Sequence, residues 1–88
     1  MSLQLLLYGT DGCHLCEDAA RIVSETVKAE YVTVQEVDIV HDEALLQRYG
    51  TRIPVLKRVG GMDELCWPFD HADVARLTRT DYPMENEK

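Results

Sequence analysis

The sequence predicts a single α/β domain in which helices flank a mixed four-stranded sheet. Short apolar runs typical of buried strands alternate with stretches of helical periodicity, in the order β-α-β-α-β-β-α. The strand–helix–strand start favours a parallel pair joined by a right-handed crossover, and the last two strands form a hairpin that adds an antiparallel edge. The 88 residues suffice for one domain. We expect it to span residues 1–80, with a polar tail over 81–88.

The first half of the chain supplies two strands and a long helix. Leu3 to Tyr8 is almost wholly apolar and ends at the turn residues Gly9 to Gly12, a pattern typical of a strand buried on both faces. From Cys13 to about Lys28, apolar residues recur at helical spacing, and the acidic residues of the first turn suit the positive end of the helix dipole. Tyr31 to Asp38, with its three valines, is predicted to be the second strand.

A short helix is predicted to follow the second strand. Glu43 to Tyr49 has two leucines and a tyrosine at spacings that turn them inward. His41 or Asp42 is placed to cap its start, and Gly50 follows as a stop signal.

The last part of the chain is predicted to combine a hairpin with a helix. Ile53 to Val59 forms the third strand, Gly60-Gly61 a two-residue turn, and Met62 to Trp67 the returning strand. Pro68-Phe69-Asp70 then opens the last helix, and the side chain of Asp70 is suited to cap it.

Composition narrows the classes of function. Nine basic residues against sixteen acidic ones give a net charge of −7. This charge disfavours nucleic acid and anionic membrane surfaces as partners. No apolar run approaches the ~20 residues of a membrane span, and the N-terminal run lacks the basic residue and the cleavage pattern of a secretory signal. We therefore expect a cytoplasmic monomer.

Cys13 and Cys16 form a Cys-x-x-Cys motif at the predicted start of the first helix. Cysteines at this spacing close a disulfide with little backbone change. Free N–H groups and the helix dipole stabilise the thiolate, which is the attacking species. We assign Cys13 as the nucleophile and Cys16 as the resolving thiol. His14, if protonated, would tune Cys13, whereas the acidic residues on either side oppose it. The alternatives for this motif are a metal site and a structural pair.

A third cysteine, Cys66, lies in the predicted hairpin strand, where we expect it to be a small, half-buried apolar side chain. Together with His71 and the cysteine pair it has the ligand types of a zinc site. Such a site would require the hairpin to reach the start of the first helix, so we predict no metal. The neighbouring Trp67 is expected to pack in the core or at its edge.

Ile53 and Pro54 begin the third predicted strand and form a candidate substrate-binding site. Proline lacks an N–H group and therefore belongs at the first residue of a strand. A cis bond here would leave a neighbouring N–H and C=O free to pair with an extended substrate, although trans is the common form of such bonds. Arg52 is a candidate partner for a substrate carboxylate such as that of glutathione. A plain surface arginine explains it equally well.

Taken together, these segments resemble the thioredoxin/glutaredoxin superfamily over nearly the whole chain. The resemblance is carried by the stretches Leu7 to Cys16, Val37 to Ile39, Tyr49 to Leu56 and Trp67 to Asp70. The pattern is most similar to a glutaredoxin-like family of small proteins. The resemblance implies a thioredoxin fold, a cis Ile53–Pro54 bond and dithiol–disulfide chemistry.

The departures from the superfamily concern glutathione and redox direction. His14-Leu15 lies between the cysteines, where thioredoxin has Gly-Pro and glutaredoxin has Pro-Tyr. The basic residue and the Gly-Gly-x-Asp-Asp stretch that hold glutathione in glutaredoxins are missing, and the approach to the motif, Thr10-Asp11-Gly12, is acidic. Asp70, at a helix N-terminus, is the residue left to help present backbone donors to a carboxylate.

The leading hypothesis is a thiol–disulfide oxidoreductase acting on protein or glutathione mixed disulfides. It needs no bound cofactor, and glutathione would enter as a co-substrate. A second reading is a non-catalytic binding module that docks a partner on the face between Cys13 and Pro54. A third is a metal or iron–sulfur carrier.

Overall fold

Four strands form one mixed sheet in the order β2-β1-β3-β4. A computed structural model describes residues 3–79. The elements are β1 (Leu3–Gly9), α1 (His14–Thr26), β2 (Val32–Asp38), a 3-10 helix (Ile39–His41), α2 (Glu43–Tyr49), β3 (Val55–Arg58), β4 (Glu64–Cys66) and α3 (His71–Arg79). This order confirms the predicted β-α-β-α-β-β-α architecture.

Strand β1 lies inside the sheet because its apolar run can be buried on both faces. It pairs in parallel with β2, from Leu3 opposite Val32 to Gly9 opposite Asp38. On its other side it pairs antiparallel with β3, and β3 pairs antiparallel with β4. The parallel pair and the antiparallel hairpin are therefore arranged as the sequence predicted.

The sheet carries a core on each face. Adjacent residues of β3 show the division, since Val55 and Leu56 are both fully buried but belong to different clusters. Successive side chains of a strand point to opposite faces. The larger cluster joins the sheet to α1 and α3, and the smaller one joins it to the 3-10 helix and α2. The smaller cluster consists of Tyr8, Ile39, Tyr49 and Val55.

The helix bounds follow their caps. Helix α1 ends at Thr26, where the Val27 N–H still donates to the Val23 carbonyl at 3.0 Å, so it is shorter than the predicted span to about Lys28. Helix α2 has the predicted bounds, and the Asp42 carboxylate accepts from two N–H groups of its first turn at 3.0 and 3.2 Å. The inward orientation predicted for both leucines of α2 is wrong for Leu46, which is 40% exposed.

The hairpin turn is longer than predicted. Five residues, 59–63, connect β3 to β4, so the prediction of a two-residue turn at Gly60-Gly61 and of longer flanking strands is wrong. The chain reverses in a turn closed by the Gly61 N–H and the Arg58 carbonyl at 3.3 Å. Gly60 has a φ of 89°, which glycine adopts readily. Met62 is 91% exposed and gains no burial that would extend the ladder.

Three further observations concern the proline peptide bonds, the lengths of the helices and the C-terminal tail. The Ile53–Pro54 and Trp67–Pro68 peptide bonds are cis. None of the helices within residues 3–79 is long and apolar enough to cross a membrane. The polar tail predicted over residues 81–88 lies outside the described residues.

Candidate redox site

Two glycines shape the loop that carries the chain from β1 to the cysteines. A Cβ atom on Gly9 would lie 2.9 Å from Cys16 Sγ, so glycine lets the end of β1 pack directly against that sulfur. Gly12 has a φ of 76°, in the left-handed region that favours glycine. Only three residues then separate β1 from Cys13. The loop therefore fixes the motif at the end of the central strand.

Cys13 and Cys16 are joined by a disulfide whose Cα atoms are 5.2 Å apart, within the normal range for such bonds. Cys13 is the N-cap of α1, and its Sγ accepts a hydrogen bond from the Cys16 N–H at 3.1 Å. A sulfur atom thus takes the capping role that a serine or aspartate oxygen usually fills. Both cysteines are partly buried. The two cysteines thus form a disulfide at the start of α1.

A groove of about 420 Å³ lies beside the disulfide, and both cysteines line it. It lies between the loop after β1, the first turns of α1 and the end of β2. Its lining includes four acidic residues, Asp11, Glu17, Glu36 and Asp38.

Only Cys13 and Cys16, of the residues predicted to form the site, line this groove. His14 is exposed at the first position of α1, and its side chain makes no hydrogen bond or ion pair among residues 3–79. Ile53 and Pro54 lie at the same end of the sheet, because the next residue, Val55, pairs with Tyr8 just before Gly9.

The backbone around Pro54 is largely engaged within the protein. Pro54 is fully buried, and its carbonyl accepts from the Trp67 N–H at 3.0 Å. The Ile53 N–H donates to the Tyr49 carbonyl at 3.1 Å. Within residues 3–79 the Ile53 carbonyl is left as the acceptor without an internal donor.

Arg52 is paired within the protein. Its Nη2 donates to Glu64 Oε2 at 3.1 Å, and its guanidinium lies 5.3 Å from the centre of the Tyr49 ring. The Tyr49 hydroxyl donates to the other oxygen of Glu64 at 2.9 Å. Burial, followed by the hydrogen bond to Glu64 and its negative charge, raises the pKa of Tyr49. Sequence reasoning missed Glu64, because nothing local marks a carboxylate fifteen residues from the tyrosine that it binds.

Asp70 caps the last helix. Its Oδ1 accepts from the Asp73 N–H at 2.9 Å, and the Asp73 carboxylate accepts from the Asp70 N–H at 3.1 Å. The backbone hydrogen bond from Asp73 is the main cause that lowers the pKa of Asp70. The next residue, His71, is 2.9 Å from a Glu25 oxygen near the end of α1. The structure thus supports the predicted capping role and gives Asp70 no place in the groove lining.

Cys66 is exposed, so the expectation of a half-buried side chain is wrong. It lies on the edge strand β4, and Leu65 before it packs against the larger core cluster. Because the strand alternates, Cys66 faces the opposite side, where little covers it. Trp67 packs against the core and meets the Phe69 ring edge-on at 5.1 Å, as predicted. Among residues 3–79, no three His, Cys, Asp or Glu side chains are grouped to hold a metal ion.

Comparison with known proteins agrees with this geometry. The family model described as glutaredoxin-like domain (DUF836) matches residues 4–78. The crystal structure of protein XcR50 from X. campestris is 35% identical, with a TM-score of 0.75 over 89% of this chain and 99% of that one. Protein Ne2328 from Nitrosomonas europaea is 32% identical, with a TM-score of 0.66 over 89% of this chain and 94% of that one.

A more distant structure shows the fold alone. A mutant thioredoxin from Halobacterium salinarum is 22% identical, with a TM-score of 0.67 over 90% of this chain and 74% of that one. A search of curated proteins found no match. The match to the family model spans nearly all of the described residues. The chain therefore belongs to the glutaredoxin-like domain family (DUF836) and has a thioredoxin-type fold.

Proposed function

We propose that this protein is a thiol–disulfide oxidoreductase that works through Cys13 and Cys16. The observation that carries the proposal is the hydrogen bond from the Cys16 N–H to Cys13 Sγ at the start of α1. In the reduced protein the same N–H and the helix dipole would stabilise a Cys13 thiolate. Cys16 is the better resolving thiol, because its sulfur lies against Gly9 at the base of the loop.

The reaction follows from these positions. The Cys13 thiolate attacks one sulfur of a substrate disulfide, forms a mixed disulfide and releases the other substrate sulfur as a thiolate. The Cys16 thiolate then attacks Cys13 Sγ and releases the second substrate thiolate. Two electrons pass to the substrate, and the protein ends as the Cys13–Cys16 disulfide. A thiol such as glutathione, in two successive exchanges, would return the pair to the dithiol.

Protein disulfides and glutathione mixed disulfides are the substrates proposed for this chemistry. We place the reaction in the cytoplasm, where glutathione and related systems keep dithiols reduced. The family relation and the helix-capping cysteine support this function over a docking role, for which no residue of the groove gives specific evidence.

A redox titration tests the proposal. The Cys66→Ser variant is the background, because the exposed third thiol would otherwise be trapped too. The protein is equilibrated in glutathione buffers of graded redox potential. Its free thiols are then trapped with an alkylating reagent, and its mass is measured by mass spectrometry. We expect a single two-electron transition in which two alkyl groups are gained together. Adding Cys16→Ser should replace it with a glutathione adduct on Cys13.

The outcomes separate the three readings of the motif. A pair that never closes, together with a Cys13 that alkylates at neutral pH no faster than Cys66 does in the reduced parent protein, would contradict the oxidoreductase and favour a binding module. Metal bound in stoichiometric amount after anaerobic purification would favour a carrier.

A further inference from the structure

Acidic residues from three parts of the chain line the groove beside the disulfide. Asp11 comes from the loop after β1, Glu17 from the first turn of α1, and Glu36 from the edge strand β2. Asp38, at the end of β2, adds a fourth carboxylate, one oxygen of which accepts from the Val40 N–H at 2.9 Å. The loop after β1, helix α1 and strand β2 thus each contribute acidic residues to the lining of the same groove.

No cation balances these carboxylates within the lining. None of the described residues that line the groove is a lysine, arginine or histidine. His14 is next to Cys13 in sequence but lies outside the lining, and Arg52 is paired with Glu64. A substrate that brings its disulfide to Cys13 through this groove therefore passes acidic side chains and no basic one, and the positive end of the α1 dipole is the opposing charge.

We propose that the groove selects disulfides flanked by lysine or arginine and disfavours anionic ones such as glutathione disulfide. The inference rests on the proposed function and adds a substrate class to it. A clustered potential of one sign raises the encounter rate of oppositely charged substrates and lowers that of like-charged ones. The effect must weaken with salt, because the screening length falls from about 30 Å at 0.01 M to about 3 Å at 1 M.

The reaction itself is unchanged. Cys13 forms a disulfide with one substrate sulfur, the other substrate sulfur leaves as a thiolate, and Cys16 closes the protein disulfide as it releases the second. The carboxylates take no part in bond making. Their proposed effect on selectivity is on the rate at which a charged substrate reaches Cys13.

Single-turnover reduction of three peptide disulfides tests the proposal. Each peptide carries one cysteine in disulfide linkage to the same neutral fluorescent thiol, with two lysines, two glutamines or two glutamates beside the cysteine. The reduced Cys66→Ser protein is mixed with each peptide at about pH 8, where a histidine of ordinary acidity is uncharged. We expect the lysine peptide to react at least about fivefold faster than the glutamate peptide at ~10 mM salt.

Charges beside the cysteine also alter the intrinsic reactivity of the peptide disulfide. We therefore divide the rate with the lysine peptide by the rate with the glutamate peptide, and we compare this ratio between each variant and the parent protein. Glu36→Gln should lower that ratio about twofold or more, because it removes one negative charge from the groove lining. Glu30→Gln is the matched control. It removes the same charge from the exposed turn before β2, at the other end of the sheet, and should leave the ratio unchanged.

Each result decides something. A ratio that falls with salt and with Glu36→Gln, but not with Glu30→Gln, supports the proposal. Equal rates for the three peptides, or equal effects of the two variants, overturn it, because the bias would then be absent or belong to the net charge of the chain. Failure of all three peptides to react would instead contradict the proposed function.

Discussion

At the residue scale, Glu64 does more for the structure than its place in a short edge strand indicates. Its two carboxylate oxygens bind the Tyr49 hydroxyl and the Arg52 guanidinium, which precede Pro54 in sequence. Tyr49 is buried and stacks on Tyr8 with ring centroids 4.7 Å apart. Burial, and then the hydrogen bond that the Tyr49 hydroxyl donates to Glu64, raise the pKa of Tyr49. Glu64 thereby ties β4 to the segment that leads to Pro54.

Replacing Glu64 by alanine is expected to lower the free energy of unfolding by about 1–3 kcal/mol. The change leaves the Tyr49 hydroxyl without its acceptor in a buried setting, which is costly. The Arg52 ion pair adds little, since the arginine is 42% exposed. Urea denaturation followed by circular dichroism measures the effect. Asp63→Ala removes the adjacent, more exposed carboxylate and should cost less than about 0.5 kcal/mol. Equal losses in the two variants would contradict this assignment.

At the element scale, helix α3 begins with two aspartates that cap each other. Asp70 accepts from the Asp73 N–H, and Asp73 accepts from the Asp70 N–H. Asp73 also pairs with Arg76 one turn later. These bonds favour the ionised form of Asp70 and lower its pKa in the folded protein. Because the folded state then holds that proton less tightly than the unfolded chain, ionised Asp70 stabilises the fold at neutral pH.

The sign of the pH dependence follows from that lowered pKa. The stabilisation by Asp70 is fully present above the ordinary aspartate pKa of about 3.9. It is lost as the pH falls through the folded pKa. Asp70→Ser keeps a capping oxygen that does not titrate. We expect the stability advantage of the parent over this variant to shrink between about pH 5 and pH 3, as measured by urea denaturation at several pH values. Parallel pH profiles for the two proteins would refute it.

The elements were more predictable than their connections. Helix α2 was predicted with its correct bounds, because Asp42, the inward Tyr49 and Gly50 are local signals. The length of the hairpin turn was not predicted correctly. Gly60-Gly61 is a local turn signal, whereas the residue at which β3 ends depends on its pairing with β4. In the candidate site, the Cys-x-x-Cys spacing was sufficient to identify the cysteine pair. Glu36 could not be assigned to the groove, because only the parallel pairing of β1 and β2 places it opposite Leu7.

At the scale of the whole molecule, one thin sheet supports two separate cores. A chain of 88 residues has a stability of about 5–10 kcal/mol. We therefore expect each core to contribute a large share of the free energy of unfolding. The groove also depends on both faces, because Ala20 in its lining packs against one core and Val37 in its lining packs against the other.

Leu56→Ala should cost about 2–5 kcal/mol, because it removes a fully buried side chain at the centre of the larger core. The same exchange at the 40% exposed Leu46 should cost less than about 1 kcal/mol. Thermal and urea unfolding of both variants provide the comparison. A similar loss at the two positions would contradict the burial pattern that divides them.

The position of β2 at the edge of the sheet has a consequence for self-association. An edge strand offers unpaired backbone groups to a second copy of the same chain, and charged side chains are a common means of discouraging such pairing. Exposed Glu36 lies near the middle of β2. Two copies joined antiparallel along β2 would bring these carboxylates close together, and like charges across a strand pair are unfavourable. The residue assigned to substrate choice is therefore also placed to disfavour pairing of this edge with a second copy.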